Sequence, residues 1–61
     1  MLIRLSVTAP NGIAREMSLE EYIFLHKDTI TMEEMREIVG LNVGDAVFIG
    51  DFHTTRIERI A

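Results

Sequence analysis

Apolar and polar side chains alternate in the first part of the chain, and a turn follows. Over residues 2–8 the alternation has a period of two, which predicts a half-buried β-strand. The segment Ala9-Pro10-Asn11-Gly12 predicts a turn, because proline presets φ and glycine accepts a positive φ. Residues 13–17 then predict a second strand, so the N-terminal part of the chain is expected to form a β-hairpin.

Two capping-box patterns predict the starts of two short helices. In Ser18-Leu19-Glu20-Glu21 the serine hydroxyl is expected to accept from the Glu21 amide, while the Glu21 carboxylate reaches back to the Ser18 amide. Thr31-Met32-Glu33-Glu34 repeats the pattern. Apolar residues at helical spacing follow each box and predict helices over about 19–27 and 32–39. Gly40 is expected to end the second helix in a left-handed conformation.

The last part of the chain predicts a second hairpin. Ala46–Ile49 is apolar and β-prone, Gly50-Asp51 predicts a two-residue connection, and residues 52–60 predict the returning strand. Strands grouped apart from helices indicate an α+β fold. We therefore expect a small ββααββ domain, with an antiparallel sheet that carries two short helices on one face. Its expected edge strands are Leu2–Thr8 and Thr54–Ile60.

Length and composition limit the kind of protein. A chain of 61 residues is expected to hold a single domain, 1–61, and its lack of cysteine excludes disulfides and thiolate zinc sites. No uncharged stretch is long enough to span a membrane, and no signal peptide is evident. We expect a cytoplasmic protein without membrane association; for a viral protein, that compartment would be the cytoplasm of the host cell.

The charges are unevenly placed along the chain. Nine acidic and two basic residues lie between positions 16 and 51, which gives this segment a charge of −7 within a total of −4. On the helical layer these acids predict a surface that attracts basic protein surfaces and repels nucleic acid. The candidate partner-binding residues are Glu20, Asp28, Glu33, Glu34 and Glu37. A face that only confers solubility is the alternative.

Candidate chemistry is sparse. His26-Lys27-Asp28 and Asp51-Phe52-His53 each place a histidine two residues from an aspartate, but this spacing is not specific for a metal. The neighbouring carboxylates Glu20–Glu21 and Glu33–Glu34 complement the positive helix ends, and no nucleophile–base set or phosphate-binding loop is evident. We therefore expect no metal site, no cofactor and no enzymatic activity.

One segment resembles a known family. Residues 29–50, with Leu41-x-x-Gly44-Asp45, are similar to AbrB-type swapped-hairpin transcription factors, in which a strand leads into a capped helix, a Gly-Asp turn and a further strand. The resemblance implies a dimeric DNA-binding regulator. The chain departs from this pattern where the family has a basic strand, since a hairpin and a helix stand there. For this alternative, DNA would bind one basic patch on the solvent face of the sheet, formed by Arg4, Arg15, Arg56 and Arg59.

These observations favour a non-catalytic protein-binding module over the DNA-binding alternative. We expect a small inhibitor or regulator of the type encoded by phages and mobile elements, whose acidic helical face binds the basic, nucleic-acid-binding site of another protein. Homo-oligomers through an edge strand or the open sheet face are a further expectation, since unpaired strand edges accept other strands. Binding to nucleic acid itself is not expected.

Overall fold

The four strands form one antiparallel sheet and the two helices lie on one of its faces, in a computed structural model that describes residues 2–61. This confirms the predicted α+β arrangement. The elements are β1 (Arg4–Thr8), β2 (Ala14–Ser18), α1 (Leu19–Leu25), α2 (Met32–Val39), β3 (Ala46–Ile49) and β4 (Thr55–Arg59), with a short 3₁₀ turn at Asp51–His53.

The strand order is β2-β1-β4-β3. The predicted edges, Leu2–Thr8 and Thr54–Ile60, were therefore wrong, because the two strands that contain them pair with each other in the centre of the sheet. This arrangement surrounds the fully buried Leu5 and Ile57 with neighbouring strands on both sides. The edges are β2 and β3.

The core lies between the helices and one face of the sheet. Register sets Leu5 opposite Met17 and Val7 opposite Ile57, so these side chains point to the same side. Tyr22 from α1 and Ile38 from α2 cover the core on the helix side of the sheet. The buried residues are Leu5, Met17, Tyr22, Ile38, Ile49 and Ile57. On the other face, the sheet is open and carries small and charged side chains together with Phe48.

Both helices begin where the capping residues predict. Thr31 and Glu34 form the full reciprocal box at the start of α2. Ser18 accepts from the Glu21 amide, but the return bond from the Ser18 amide is not formed. Helix α1 ends two residues earlier than predicted, and Gly40 ends α2 at φ −79°, so it is not left-handed. No helix within residues 2–61 is both long and apolar enough to cross a membrane.

The connection between β3 and β4 is longer than the predicted two residues. It runs from Gly50 to Thr54, and β4 begins only at Thr55, which pairs with Ile49. The His53 amide donates to the Gly50 carbonyl at 3.0 Å and the Thr54 hydroxyl donates to the Asp51 carbonyl at 3.0 Å. These bonds fold residues 51–53 into a turn, which is why the strand does not extend through them.

Candidate functional site

The predicted acidic residues of α2 fall into two structural roles. Glu33 and Glu37 are one helical turn apart and exposed, so they lie on the same flank of the helix. Glu34 is half-buried and turned toward the β3–β4 connection. Only the first two therefore offer free carboxylates to a partner.

The carboxylate of Glu34 is held by backbone amides. Its Oε1 accepts from the Thr31 amide at 3.1 Å, and its Oε2 accepts from the Gly50 amide at 3.2 Å. These two hydrogen bonds, first that from Thr31, lower the pKa of Glu34 below its ordinary value. Burial raises the pKa of the Tyr22 phenol, and the Glu34 carboxylate raises it further. Glu34 thus joins the start of α2 to the turn after β3.

A shallow depression lies beside this carboxylate. It has a volume of about 190 Å³ and separates the exposed flank of α2 from the end of β3. We call it the acidic depression; the residues that line it are Thr31, Glu33, Glu34, Glu37, Phe48, Ile49 and His53. Three glutamates thus line one concave surface, and their negative charge attracts a cationic side chain. The register turns the Phe48 side chain to the open face of the sheet, next to this surface.

The turn next to the acidic depression presents an aromatic side chain in a strained backbone. Phe52 has φ 60° and His53 has φ 53°, both in the left-handed region that non-glycine residues rarely adopt. The Phe52 side chain is 94% exposed, so no packing inside the molecule offsets this strain. Strained residues of this kind concentrate at sites of function.

The remaining predicted acids lie apart from the acidic depression. Glu20 is in the first turn of α1, and Asp28 follows the opposite end of that helix. Neither lines the depression. The predicted five-residue acidic face is therefore divided: α2 contributes one local cluster, and the other two acids add only to the long-range field.

The structure does not bring the four candidate arginines onto one face. Register places Arg4 and Arg56 on the open side of the sheet, and it places Arg15 and Arg59 on the helix side. The Arg56 guanidinium pairs with Glu58 at 2.9 Å, and Arg59 Nη1 donates to the Leu41 carbonyl at 3.1 Å. The predicted basic patch is wrong, because neighbouring strand positions point in opposite directions.

The two histidines are in different surroundings. The ring of His26 packs on that of Tyr22, with 4.4 Å between their centroids, while His53 Nδ1 lies 3.4 Å from the Phe48 carbonyl. Within residues 2–61, no group of three or more histidine, cysteine, aspartate or glutamate residues comes together in a geometry that could hold a metal ion.

The sequence did not predict a second concave surface, a groove of about 790 Å³. It lies between the two hairpin turns and the link that joins the helices; we call it the hairpin groove. Its apolar lining residues include Val7, Ile13, Met17, Leu25 and Ile30, and its polar lining residues include Arg15, His26, Glu34 and Asp51. No periodic pattern connects these positions, since only the tertiary structure brings them together.

Comparison with known proteins gives no match: no protein-family model, curated protein or solved structure is similar to this chain.

Proposed function

We propose that this chain is a non-catalytic protein-binding module whose acidic depression binds a basic site on a partner protein. One observation carries the proposal: the exposed Glu33 and Glu37 carboxylates line one concavity, and no basic side chain of residues 2–61 pairs with either of them. Unpaired carboxylates keep their full attraction for an incoming lysine or arginine.

Two exposed aromatic side chains lie next to the depression and supply apolar contact area. Phe48 is 55% exposed on the open face of β3, and Phe52 is 94% exposed on the adjoining turn. Aromatic side chains commonly serve as anchors in interfaces, where rings also attract guanidinium and ammonium groups. A partner with arginine or lysine beside an apolar pocket would meet both parts of the surface.

The overall charge of the molecule also favours the proposal that the partner is basic. The net charge is −4, and Glu20 and Asp28 extend the negative field over the helical layer. Such a field raises the rate at which a basic partner associates, and salt weakens it. Inhibition of a nucleic-acid-binding protein would follow if that basic site normally contacts phosphates. The four arginines share no single face, and no observation favours DNA binding as a second function.

The test is a titration with an arginine-rich peptide followed by nuclear magnetic resonance. We expect the backbone signals of Glu33, Glu37, Phe48 and Phe52 to shift, and we expect the double variant Glu33→Gln/Glu37→Gln to weaken binding about tenfold. The matched control is Glu20→Gln/Glu21→Gln, which removes the same charge from α1 outside the depression and should weaken binding by about twofold at most.

Two results would contradict the proposal. Equal loss of affinity in both double variants would mean that net charge alone attracts the peptide and that the depression is not a site. Salt-sensitive retention on duplex DNA near physiological ionic strength would instead favour the DNA-binding alternative.

A further inference from the structure

The outer edge of β2 carries backbone groups without a protein partner. In an antiparallel ladder, residues alternate between pairs that exchange hydrogen bonds and pairs that do not. The Ala9 amide donates to the Ile13 carbonyl at 2.9 Å, so the odd-numbered positions of β2 bond to β1. The amides and carbonyls of Ala14 and Glu16 therefore point away from the sheet, and no hydrogen bond within residues 2–61 involves them.

The other edge of the sheet is partly covered. The same alternation turns the Phe48 carbonyl outward from β3, where the His53 ring lies 3.4 Å from it. The Glu33 and Glu37 side chains also flank this edge. Of the two edges, β2 is thus the one that is open to a further strand.

The open edge of β2 adjoins the hairpin groove. Ile13 is 61% exposed and Leu25 is 59% exposed; both line the groove together with Arg15 of β2. Successive side chains of a strand point to opposite faces. In a strand added to β2, every second side chain would therefore point toward the groove and could contact its exposed apolar side chains.

A second copy of this chain is a poor occupant for the edge. The symmetric antiparallel register that pairs the whole of β2 with itself puts Glu16 opposite the second copy's Glu16, and like charges placed directly opposite each other destabilise a sheet. Symmetric registers shifted by two residues pair only three positions of the strand. A lysine or arginine opposite Glu16 would instead form a favourable cross-strand pair.

We propose that the β2 edge and the hairpin groove bind an extended segment of a basic partner protein, in which a lysine or arginine faces Glu16 and large apolar side chains enter the groove. This mode of recognition takes its affinity from main-chain hydrogen bonds and its specificity from alternate side chains. The inference rests on the proposed function in one respect, that the partner is basic.

The test uses a short acetylated and amidated peptide in which lysine alternates with valine. Without the peptide, we expect the outward amides of Ala14 and Glu16 to exchange rapidly with deuterium; with the peptide bound, their exchange should slow at least tenfold. A peptide of the same sequence with alternate backbone nitrogens methylated cannot form the ladder and should bind at least tenfold more weakly. A peptide that alternates glutamate with valine should also bind more weakly, since it places like charges opposite Glu16.

Two variants distinguish the contribution of the Glu16 backbone amide to binding from that of the Glu16 carboxylate. Glu16→Pro removes an outward amide that the fold does not use, and proline is tolerated at such edge positions; we expect about tenfold weaker binding. Glu16→Gln keeps that amide and should weaken binding by only about threefold. Far-ultraviolet circular dichroism checks that both variants fold, and if Glu16→Pro unfolds, the methylated peptide decides the question.

The possible outcomes distinguish this inference from the proposed function. Equal binding of the methylated peptide, or unchanged exchange at Ala14 and Glu16, would overturn the edge site even if the arginine-rich peptide still binds the acidic depression. Slower exchange at the edge, with an acidic depression that does not respond to the arginine-rich peptide, would overturn the proposed function alone. Slower exchange that depends on protein concentration without any peptide would identify a second copy as the occupant and overturn the inference.

Discussion

Glu34 has more hydrogen-bonding roles than the capping pattern implied. Its carboxylate accepts from the Thr31 amide within the box and from the Gly50 amide across the molecule. The first bond satisfies a free amide at the start of α2, and the second fixes the connection that carries Phe52 and His53. One side chain therefore positions both walls of the acidic depression.

Replacing Glu34 by glutamine should lower stability in a pH-dependent way. The amide of glutamine can accept from only one of the two backbone donors, so we expect Glu34→Gln to lower the free energy of unfolding by about 1 kcal/mol at pH 7. Because folding lowers the pKa of Glu34, its stabilisation is complete above the ordinary value of about 4.5 and is lost as the pH falls through the lower folded value. Urea unfolding at intervals from pH 7 to pH 3 should show the difference in stability between the original chain and Glu34→Gln shrinking as the pH falls.

The control for this prediction is Glu33→Gln. It makes the same change in net charge on the preceding residue, whose carboxylate is exposed and forms no hydrogen bond within residues 2–61. We expect this variant to change stability by less than about 0.5 kcal/mol. Coincident unfolding curves for the two variants at pH 7 would show that the bonds to Thr31 and Gly50 contribute nothing.

Among the elements, the β3–β4 connection combines backbone strain with full exposure. Left-handed residues other than glycine, asparagine and aspartate each cost about 1–3 kcal/mol unless surrounding contacts compensate. Phe52 is 94% exposed, so it gains nothing from packing in the isolated chain. The strain has a functional explanation if it holds this aromatic ring in the position that contacts a partner protein.

Replacing Phe52 by asparagine should therefore stabilise the chain. Asparagine tolerates the left-handed conformation, so we expect Phe52→Asn to raise the free energy of unfolding by about 1 kcal/mol, measured by urea denaturation. We also expect weaker binding of the arginine-rich peptide, because an aromatic contact is lost. The control is Phe24→Asn on α1: that phenylalanine is also exposed but helical, and because the two residue types have similar helix propensities, the change should alter stability by less than about 0.5 kcal/mol. Equal effects at both positions would contradict strain at Phe52.

The sequence predicted the elements where local interactions determine them. Alternation predicted β1, the Pro-Asn-Gly turn predicted the return into β2, and the caps at Ser18 and Thr31 predicted both helix starts. The predicted strand order was wrong, because strand order depends on tertiary pairing. The strands β1 and β4 were expected at the edges of the sheet, but they lie side by side in its centre. The β3–β4 connection was also misjudged, because its turn uses positive φ at Phe52 and His53, which their residue types do not indicate.

At the scale of the whole molecule, the candidate sites could be predicted only in part from the sequence. The excess of acids was evident from composition, and spacing placed Glu33 and Glu37 on one flank of α2. The hairpin groove was not predictable, because it combines two turns and an interhelical link that are far apart along the chain. The division of the arginines between two faces likewise depends on strand register, which local patterns leave open.

Charge repulsion should make the stability of the whole molecule sensitive to salt. Ten acids and six basic residues form a single ion pair within residues 2–61, that of Arg56 with Glu58, so repulsion among the acids is balanced by little specific attraction. The molecule measures 29 × 23 × 17 Å, and at low ionic strength charges interact over a large part of these distances. At about 0.5 M salt the screening length falls to roughly 4 Å, which removes most of the repulsion.

We therefore expect the midpoint of thermal unfolding to rise between 10 mM and 0.5 M sodium chloride, as followed by circular dichroism. The double variant Glu33→Gln/Glu37→Gln should already be more stable at low salt and should gain less from added salt, because part of the repulsion has been removed. Replacing Arg56 by glutamine should have the opposite effect and increase the gain. A midpoint that falls with salt would mean that attractive pairs outweigh repulsion, and the view of the helical layer as an uncompensated negative surface would then be wrong.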